Sequence, residues 1–571
     1  MKSLFILFFA GVLPLSAQVP SFYNSGDIAV VNEIIDNNGL KWPKADPADG
    51  SYVPDEWIGV GWSEEETDNR VIILDILNQS LTGDLDVTKL SELQHLLCSS
   101  WIEIQNSNSN DGQPENVVMN IDYLNRLTSI NASGCSKLLN LDCTFNQLTS
   151  IDVSKCADLA YLYCSANHLD KLNVEDMTCL KDLYCNNNNL TALYLKGCIN
   201  LERLYCSDNN LSSLDVSGLT NLLWLFCSGN SMTSLDMVGL SNLQRLYCSD
   251  NSFTSIDISD LTGLEILSCE VNKLSSLDVS GLSNLLALNC AYNDFTSLDV
   301  SGCADLLQLS CSYCKLASID LPETSSLTLL NCMENDLTAL DLSGQTSLRN
   351  LYCNNNSLSE LDLSGLTNLE NLFCDYNSLT ALDVTGLPDL LNISCLYNEL
   401  TFLDLSENNS LAWFDGIGQK RSLTLTGDDN IFTANIVFGD GATFDDTALS
   451  YENGLLTSTS DEARAFGFTS PTGRPDMALT GTITATYETE NGTANDPHAR
   501  FCNPCAPLKS FVQNGRLHVS GLLTGMPWSV YHFSGALVYQ DTATGQEANL
   551  NLPAHGLYII TSGAQSAKVV Y

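Results

Sequence analysis

The stretch LERLYCSDNNLSSLDVSGLTN, residues 201–221, decides the fold of this 571-residue chain. Its pattern, L-x-x-L-x-C-x-x-N-x-L-x-x-L-D-V-S-G-L-x-N, returns every 21 residues between about 138 and 405. The cysteine keeps this register without a slip, at Cys143, Cys164, Cys185, Cys206, Cys227, Cys248, Cys269, Cys290, Cys311, Cys332, Cys353, Cys374 and Cys395. A fixed period of this length is typical of a solenoid, in which each repeat packs only on its neighbours.

The cysteine series belongs to the predicted core. Leucine stands five residues before every cysteine, and leucine or isoleucine stands two residues before it. Successive strands lie about 4.8 Å apart, but parallel Cβ vectors suit disulfide torsions poorly. We therefore expect reduced, inert thiols. The same holds for the four cysteines that stand where other turns carry leucine: Cys135, Cys156, Cys198 and Cys303.

Two further features of the repeat predict its backbone. Each L-x-C segment predicts a short parallel strand, and the asparagine three residues after the cysteine predicts a hydrogen-bonded ladder inside the bend. Only Cys314 interrupts that asparagine series. A turn of 21 residues leaves no room for a helix on its outer side. The repeat resembles the 21-residue leucine-rich-repeat class of exported bacterial proteins. The resemblance implies a leucine-rich-repeat solenoid that is β-rich, with parallel strands on its concave face.

The chain before the regular repeats predicts a leader and a cap. Residues 1–17 read as a secretory signal peptide, because one lysine precedes an apolar run that ends in small residues. Residues 18–70 should form an N-terminal cap, since the first turn of a solenoid exposes its core. Within it, residues 27–37 predict a short helix capped by Ser25 or Asp27.

The repeats are irregular before they become regular. Residues 71–137 predict irregular repeats, broken by a polar surface loop at 106–115. The regular repeats then occupy 138–421, where the last turn fades at Leu411, Phe414 and Gln419.

An all-β C-terminal region is predicted after the repeats. Residues 422–490 alternate as strands and predict a β-rich C-terminal cap, and 491–507 read as a linker. The linker carries Cys502 and Cys505, which we expect to form a local disulfide after export and not a zinc half-site. Residues 508–571 predict a β-sandwich. This segment resembles the C-terminal sorting domain of the type IX secretion system of Bacteroidetes, on NGRL at 514–517, GLYII at 556–560 and KVV at 568–570. The resemblance implies export through that machinery to the outer-membrane surface or beyond.

Charge and motif content exclude several functions. Asp and Glu number 68 against 24 Lys and Arg, so the surface repels nucleic acid and anionic membranes. No run of 18 apolar residues predicts a transmembrane segment. The sequence contains no H-E-x-x-H or G-x-S-x-G motif, and its six histidines are scattered. We expect no enzyme activity, no metal site and no cofactor.

An aromatic strip is the candidate ligand-binding site. The position before each cysteine carries aromatic residues in five successive turns, and the position two residues earlier adds arginine and tryptophan. The candidate ligand-binding residues are Tyr163, Tyr184, Arg203, Tyr205, Trp224, Phe226, Arg245 and Tyr247, with Tyr161 beside them. Residues of these types dominate binding hot spots, and aromatic rings also stack on sugars. Stabilisation by cross-strand ring contacts alone explains the same pattern.

A second column of the repeat is acidic. It comprises Asp152, Asp215, Asp236, Asp257, Asp278, Asp299, Asp320, Asp341, Asp362, Asp383 and Asp404. Carboxylates stacked about 5 Å apart repel one another by about 1 kcal/mol in water. Hydration, or bonding to amides and hydroxyls of the next turn, is the expected relief. Calcium bridging is the alternative.

Three functions follow from these observations. The first is extracellular or cell-surface recognition, by adhesion to a protein or carbohydrate on the concave face. The second is a structural surface component that has no specific ligand. The third, from another class, is an enzyme that uses residues 422–490.

Overall fold

The computed structural model describes residues 23–65, 67–100, 124–323, 326–428, 431–459, 464–474 and 477–489, together with strands between 509 and 570. The predicted signal peptide, the loop at 106–115 and the cysteines at 502 and 505 lie outside the described residues. The chain divides into two compact units, one ending at Asn335 and one beginning at Asp336.

The first unit begins with a helix that is longer than predicted. It spans Ser25–Asn38 and ends at Gly39, whose φ of +79° suits a residue without Cβ. The predicted caps are wrong, because Asn24 is the N-cap and its side chain accepts the N–H of Asp27 at 3.0 Å. Asp27 is buried in the first turn instead, where it binds the guanidinium of Arg70 at 2.8 Å.

Short parallel strands build the repeat array, as the L-x-C pattern predicts. We call them the inner strands. Each covers three residues, with an apolar residue in the middle that is a buried leucine or isoleucine in every strand but the last. In the first unit they are Asn140–Asp142, Tyr161–Tyr163, Asp182–Tyr184, Arg203–Tyr205, Trp224–Phe226, Arg245–Tyr247, Ile266–Ser268, Ala287–Asn289, Gln308–Ser310 and Leu329–Asn331. The strands Val60–Trp62, Val71–Asp75 and His95–Leu97 precede them. Paired residues in neighbouring inner strands are one repeat apart, as in Tyr184 and Tyr205, so each column of the repeat becomes a column in space.

A second series of strands is less regular. It comprises Thr82–Asp86, Arg126–Asn131, Ser150–Asp152, Lys171–Asn173, Ala192–Tyr194, Ser297–Asp299 and Ser318–Asp320. The extended segment after the asparagine therefore forms a ladder in only some of the described turns. The inner strands alone run through every regular turn of the first unit.

The second unit continues the repeat and then changes topology. Its inner strands are Asn350–Tyr352, Asn371–Phe373, Asn392–Ser394 and Trp413–Asp415. A seven-stranded sheet follows, made of Gln419–Asp428, Ile431–Asn435, Thr443–Phe444, Leu449–Glu452, Leu455–Ser458, Arg464–Pro471 and Ala478–Thr489. Two separate antiparallel sheets come last. One holds Lys509–Gln513, Arg516–Ser520 and Glu547–Leu550, and the other Pro527–His532, Leu537–Thr542, Leu557–Ser562 and Gln565–Val570. The all-β C-terminal region is confirmed.

The cysteines form a buried column of free thiols. All twenty cysteines in the described residues are free, and every member of the 21-residue series is buried. Burial raises the pKa of the Cys164, Cys206 and Cys248 thiols to about 12. Because the thiolate is the reactive form, these side chains act as small core residues.

The asparagine ladder satisfies the backbone inside the bend. Asn209 shows the arrangement: its Nδ2 donates to the carbonyls of Cys185 and Cys206 at 3.1 Å, and its Oδ1 accepts the N–H of Leu190 at 2.9 Å. Gln419 closes the ladder in the second unit, since its amide accepts from Leu400 and donates to the carbonyl of Cys395. The longer glutamine side chain thus makes the same backbone hydrogen bonds as the ladder asparagines, at the turn where the first long strand begins.

The residue before each ladder position, including the one held by Cys314, has a left-handed backbone. Twelve of these residues are not glycine and have φ between +50° and +56°. They are Phe145, Ala166, Asn187, Asp208, Asp250, Val271, Tyr292, Tyr313, Glu334, Asn355, Tyr376 and Tyr397. This conformation costs a non-glycine residue about 1 kcal/mol or more, so the ladder hydrogen bonds must hold it.

Candidate binding face

The exposed columns of the inner strands define the candidate face. In each strand the middle residue points inward, so the first and third residues point outward. We call the outward surface of these columns the concave face. In the turns from 161 to 247, nearly all of these residues are half-buried. The eight sequence-predicted site residues therefore lie together in two neighbouring columns.

The third-residue column is a continuous stack of rings. The Tyr184 and Tyr205 centroids lie 4.1 Å apart, and the planes differ by 15°. Tyr205 and Phe226, then Phe226 and Tyr247, follow at 4.3 and 4.4 Å with 9° between planes. Tyr163 begins the column with an edge contact to Tyr184 at 5.0 Å.

This stacking decides which parts of the rings a ligand can reach. The inner rings cover one another's faces, so a ligand meets their edges. Burial, followed by the charge of Asp182, raises the pKa of Tyr163 to about 12. Burial also raises the pKa of Tyr205, and the hydroxyl of Tyr184 adds to the effect. The Tyr163 and Tyr205 hydroxyls therefore stay protonated and can act as hydrogen-bond donors. Sugar stacking on the inner faces is excluded by geometry.

The first-residue column places Trp224 between two arginines. The guanidinium carbons of Arg203 and Arg245 lie 5.2 and 4.8 Å from the indole centroid. Cation–π contacts of this kind hold both arginines against the face. Arg203 Nε also lies 3.0 Å from Oδ1 of buried Asp182. The angles there do not make a hydrogen bond, so the contact is an ion pair only.

Two donors in this column are buried without a partner among the described residues. They are Trp224 Nε1 and Arg245 Nε.

A shallow groove of about 450 Å³ adjoins the same turns at the start of the strands. Lys181, Glu202, Leu223 and a row of three asparagines line it: Asn200, Asn221 and Asn242. This groove and the aromatic strip thus share the same turns.

Comparison with solved structures agrees with this architecture. The functional domain of InlJ from Listeria monocytogenes, which includes a cysteine ladder, is 28% identical and has a TM-score of 0.54. The match covers 74% of this chain and 94% of that chain. This chain is a leucine-rich-repeat solenoid. The PEPR1–AtPEP1 structure has 20% identity and a TM-score of 0.56, over 70% of this chain and 59% of that chain. YopM from Yersinia pestis has 23% identity and a TM-score of 0.46, over 60% and 87%.

The other comparisons found no relative. No protein-family model matches the chain, and no curated protein matches it. The solved structures therefore define the fold, and the function has to be argued from this solenoid's own residues.

The acidic column of the solenoid relieves its repulsion within each turn. Hydration, one of the two predicted means of relief, is available because nearly all of these carboxylates are exposed, while the hydrogen bonds come from within the turn and not from the next one. Each carboxylate except that of Asp320 accepts the N–H of the residue two positions later in its own turn, as Asp257 does from Ser259 at 3.1 Å. Bonds from the Ser259 hydroxyl and N–H also lower the pKa of Asp257. Asp320 differs because Pro322 stands at that position and has no N–H. Among the described residues, no group of three or more His, Cys, Asp or Glu side chains could hold a metal ion.

Sequence reasoning missed further aromatic contacts outside the strip. Tyr292 stacks on Tyr313 at 4.4 Å in the left-handed column. In the second unit Trp413 stacks on Phe373 across one turn, with centroids 5.8 Å apart. Trp413 is the first residue of its inner strand, and Phe373 is the third residue of the inner strand two repeats earlier. Because the two residues belong to different columns, comparing residues within one column does not predict this contact.

The described residues contain no helix that is long and apolar enough to cross a membrane.

Proposed function

We propose that this chain is an extracellular or cell-surface recognition protein whose concave face binds a protein or carbohydrate partner. The observation that carries the proposal is the arrangement at Arg203, Trp224 and Arg245 beside the row of tyrosine hydroxyls. It combines large half-buried rings, fixed cations and an adjoining groove in four neighbouring turns. Tryptophan, tyrosine and arginine in such settings supply most of the binding free energy at interfaces.

The unpartnered donors favour binding over stabilisation alone. A structural component without a ligand accounts for the stacked rings, because each ring pair stabilises its neighbour. It does not account for Trp224 Nε1 and Arg245 Nε, which are buried without a partner among the described residues. A buried unsatisfied donor costs about 1–3 kcal/mol. An acceptor on a bound partner would offset that cost.

Binding of the full chain to an array of matrix proteins and glycans tests the proposal. We expect at least one specific binder. Its affinity should fall at least tenfold when Tyr205→Ala and Trp224→Ala are combined. Val238→Ala, which truncates an exposed side chain outside the inner strands, is the matched control and should bind normally. If no component binds, or if the double variant binds normally, the structural alternative is favoured.

We also propose that the protein reaches the cell surface by type IX export. The support is the leader-like residues 1–17 and the resemblance of residues 508–571 to a sorting domain. Deletion of 508–571 should then leave the protein inside the outer membrane, as cell fractionation would show. Normal secretion of the truncated chain would contradict the assignment.

Enzyme activity in 422–490 remains the weakest alternative. No catalytic motif marks that segment. Turnover by the full chain that is lost when only this segment is altered would revive it.

A further inference from the structure

The aromatic stack ends abruptly at Tyr247. The next residue in its column is Ser268, which pairs with Tyr247 in the parallel ladder. A serine side chain is too short to cover a phenol ring. Among the described residues, Phe226 is the only ring stacked on Tyr247. On the side of Ser268, no ring among the described residues stacks on Tyr247, which is half-buried.

The second unit also has an aromatic residue followed by serine in this column, and there another ring of the protein stacks on the aromatic residue. Phe373 pairs with Ser394 in the parallel ladder, as Tyr247 pairs with Ser268. The indole of Trp413 comes from the neighbouring column of the following strand and reaches across Ser394. It stacks on Phe373 at 5.8 Å, with 28° between planes, and remains 43% exposed. The space beside such a serine thus accommodates an aromatic ring.

The residue equivalent to Trp413 in the first unit is Ala287. Both stand in the first column, two inner strands after the ring in question. A methyl group cannot reach Tyr247. The site made by Tyr247, Ser268 and Ala287 therefore lacks the ring that Trp413 supplies at the equivalent site. We name it the Tyr247 step.

We propose that the Tyr247 step binds an aromatic side chain of a protein partner, as Phe373 binds Trp413. The proposal rests on the recognition function argued above and names the chemical class of one contact. Ring pairs at such separations attract one another through stacking of their π systems. Ile266 and Ala287 add apolar surface beside the ring.

The polar groups nearby argue against a sugar. The hydroxyls of Ser249 and Ser268 lie 2.9 Å apart and bond to each other. Asn289 donates to the carboxylate of Glu270. These side chains are already paired, so they offer few bonds to a ring of sugar hydroxyls. An aromatic side chain needs only the stacking surface.

Saturation-transfer NMR with N-acetyl-tryptophanamide tests the site on the full chain. An isolated side chain should bind with a Kd of about 1 mM, so the probe is used at about 10 mM. Transfer to the indole protons should be strong in the wild type. It should fall at least tenfold in Ala287→Trp, which supplies the ring from within. Gln308→Trp adds the same ring in the next turn of that column and should leave the transfer unchanged.

The other outcomes decide against the proposal. No transfer in the wild type, or equal transfer in Ala287→Trp, would overturn it. Displacement of the probe by methyl glucoside at equal concentration would assign the step to a sugar. Ser268→Tyr provides a second blocked variant, because it continues the stack over Tyr247. Near-UV circular dichroism confirms folding of each variant.

The same variants separate this inference from the broader function. If a partner found in the array binds Ala287→Trp as tightly as the wild type, the Tyr247 step is not used. The concave-face proposal would still stand if the Tyr205 and Trp224 substitutions abolish binding.

Discussion

Tyr205 and Phe226 lie face to face, with ring centroids 4.3 Å apart and planes within 9° of each other. The two residues are one repeat apart, and a second ring continues the stack on either side. The column therefore transmits packing from turn to turn outside the core. It also leaves the ring edges and the two end rings as the parts that a partner can touch.

The ring stack should contribute measurable coupling energy. Tyr205→Ala removes two ring contacts, so we expect it to lower the free energy of unfolding by about 1–2 kcal/mol. A double-mutant cycle with Phe226→Ala should give a coupling of about 0.5–1.5 kcal/mol. Tyr205→Phe keeps the ring and should be nearly neutral. Additive effects in chemical denaturation would show that the rings do not stabilise one another.

Replacing Cys314 with asparagine should stabilise the first unit. The cysteine offers the Cys290 carbonyl only a weak S–H contact at 3.6 Å. Asn293, one turn earlier, donates to the carbonyls of Cys269 and Cys290 and accepts from Leu274. Restoring these bonds should add about 1–2 kcal/mol to the free energy of unfolding, seen as a higher denaturation midpoint.

Asn293→Cys is the matched control for that change. It creates a second gap next to the first, so it should lower the midpoint. A lower midpoint for Cys314→Asn would mean that the turn has adapted to sulfur, and the ladder account would fail there.

Thiol labelling should separate the cysteine column from the exposed cysteine. Cys179 is exposed, whereas the 21-residue series is buried, and burial raises the thiol pKa of members such as Cys227 and Cys269. Iodoacetamide at pH 8 should modify Cys179 in the native protein and leave the column unmodified. Mass spectrometry after denaturation should then find every column cysteine reactive. Column cysteines that resist the reagent even when unfolded would indicate disulfides and contradict the free-thiol structure.

Asp375 should make the second unit less stable as the pH rises. Burial raises its pKa from 3.8 to about 7, although Ser394 and the N–H of Leu396 donate to it. The folded state binds this proton more tightly than the unfolded state, so stability falls between about pH 4 and pH 7. Asp375→Asn should raise the unfolding free energy at pH 8 by on the order of 1–3 kcal/mol, with little change at pH 4.

Asp362 provides a control with the opposite sign. Bonds from the Ser364 backbone and hydroxyl lower its pKa, so its contribution is present above about pH 4 and lost as the pH falls below it. Asp362→Asn should therefore lower the melting temperature at pH 7 and not at pH 2. The same pH profile in both variants would refute the assignment of opposite shifts.

The strict period made the fold predictable from sequence. The spacing around residues such as Cys206 and Asn209 predicts the strand positions and their register. It also predicts the buried cysteine column and the asparagine ladder. Asn24 was missed as the helix cap because Ser25 and Asp27 satisfy the same preference. The partners of the acidic column were misplaced because a turn such as Asp257 to Ser259 bonds internally, which repeat spacing does not reveal.

The candidate site was predictable only as a set of residues. The columns of Tyr205 and Trp224 follow from register, but ring orientation does not. Whether Tyr184 and Tyr205 present faces or edges depends on side-chain torsions and on the twist between turns. The left-handed backbone at Val271 could not be predicted from the sequence either, because β-branched residues disfavour that conformation. The diagonal contact of Trp413 depends on the reach of one side chain over Ser394.

Hydrogen exchange of the full chain, with and without its partner from the array, tests whether the partner binds on the concave face. We expect slower exchange in the strands Arg203–Tyr205, Trp224–Phe226 and Arg245–Tyr247 when the partner is bound. Exchange in the acidic column of the same turns, around Asp236 and Asp257, should stay unchanged. Protection confined to that column, or to residues after 419, would place binding elsewhere and contradict a recognition site on the concave face.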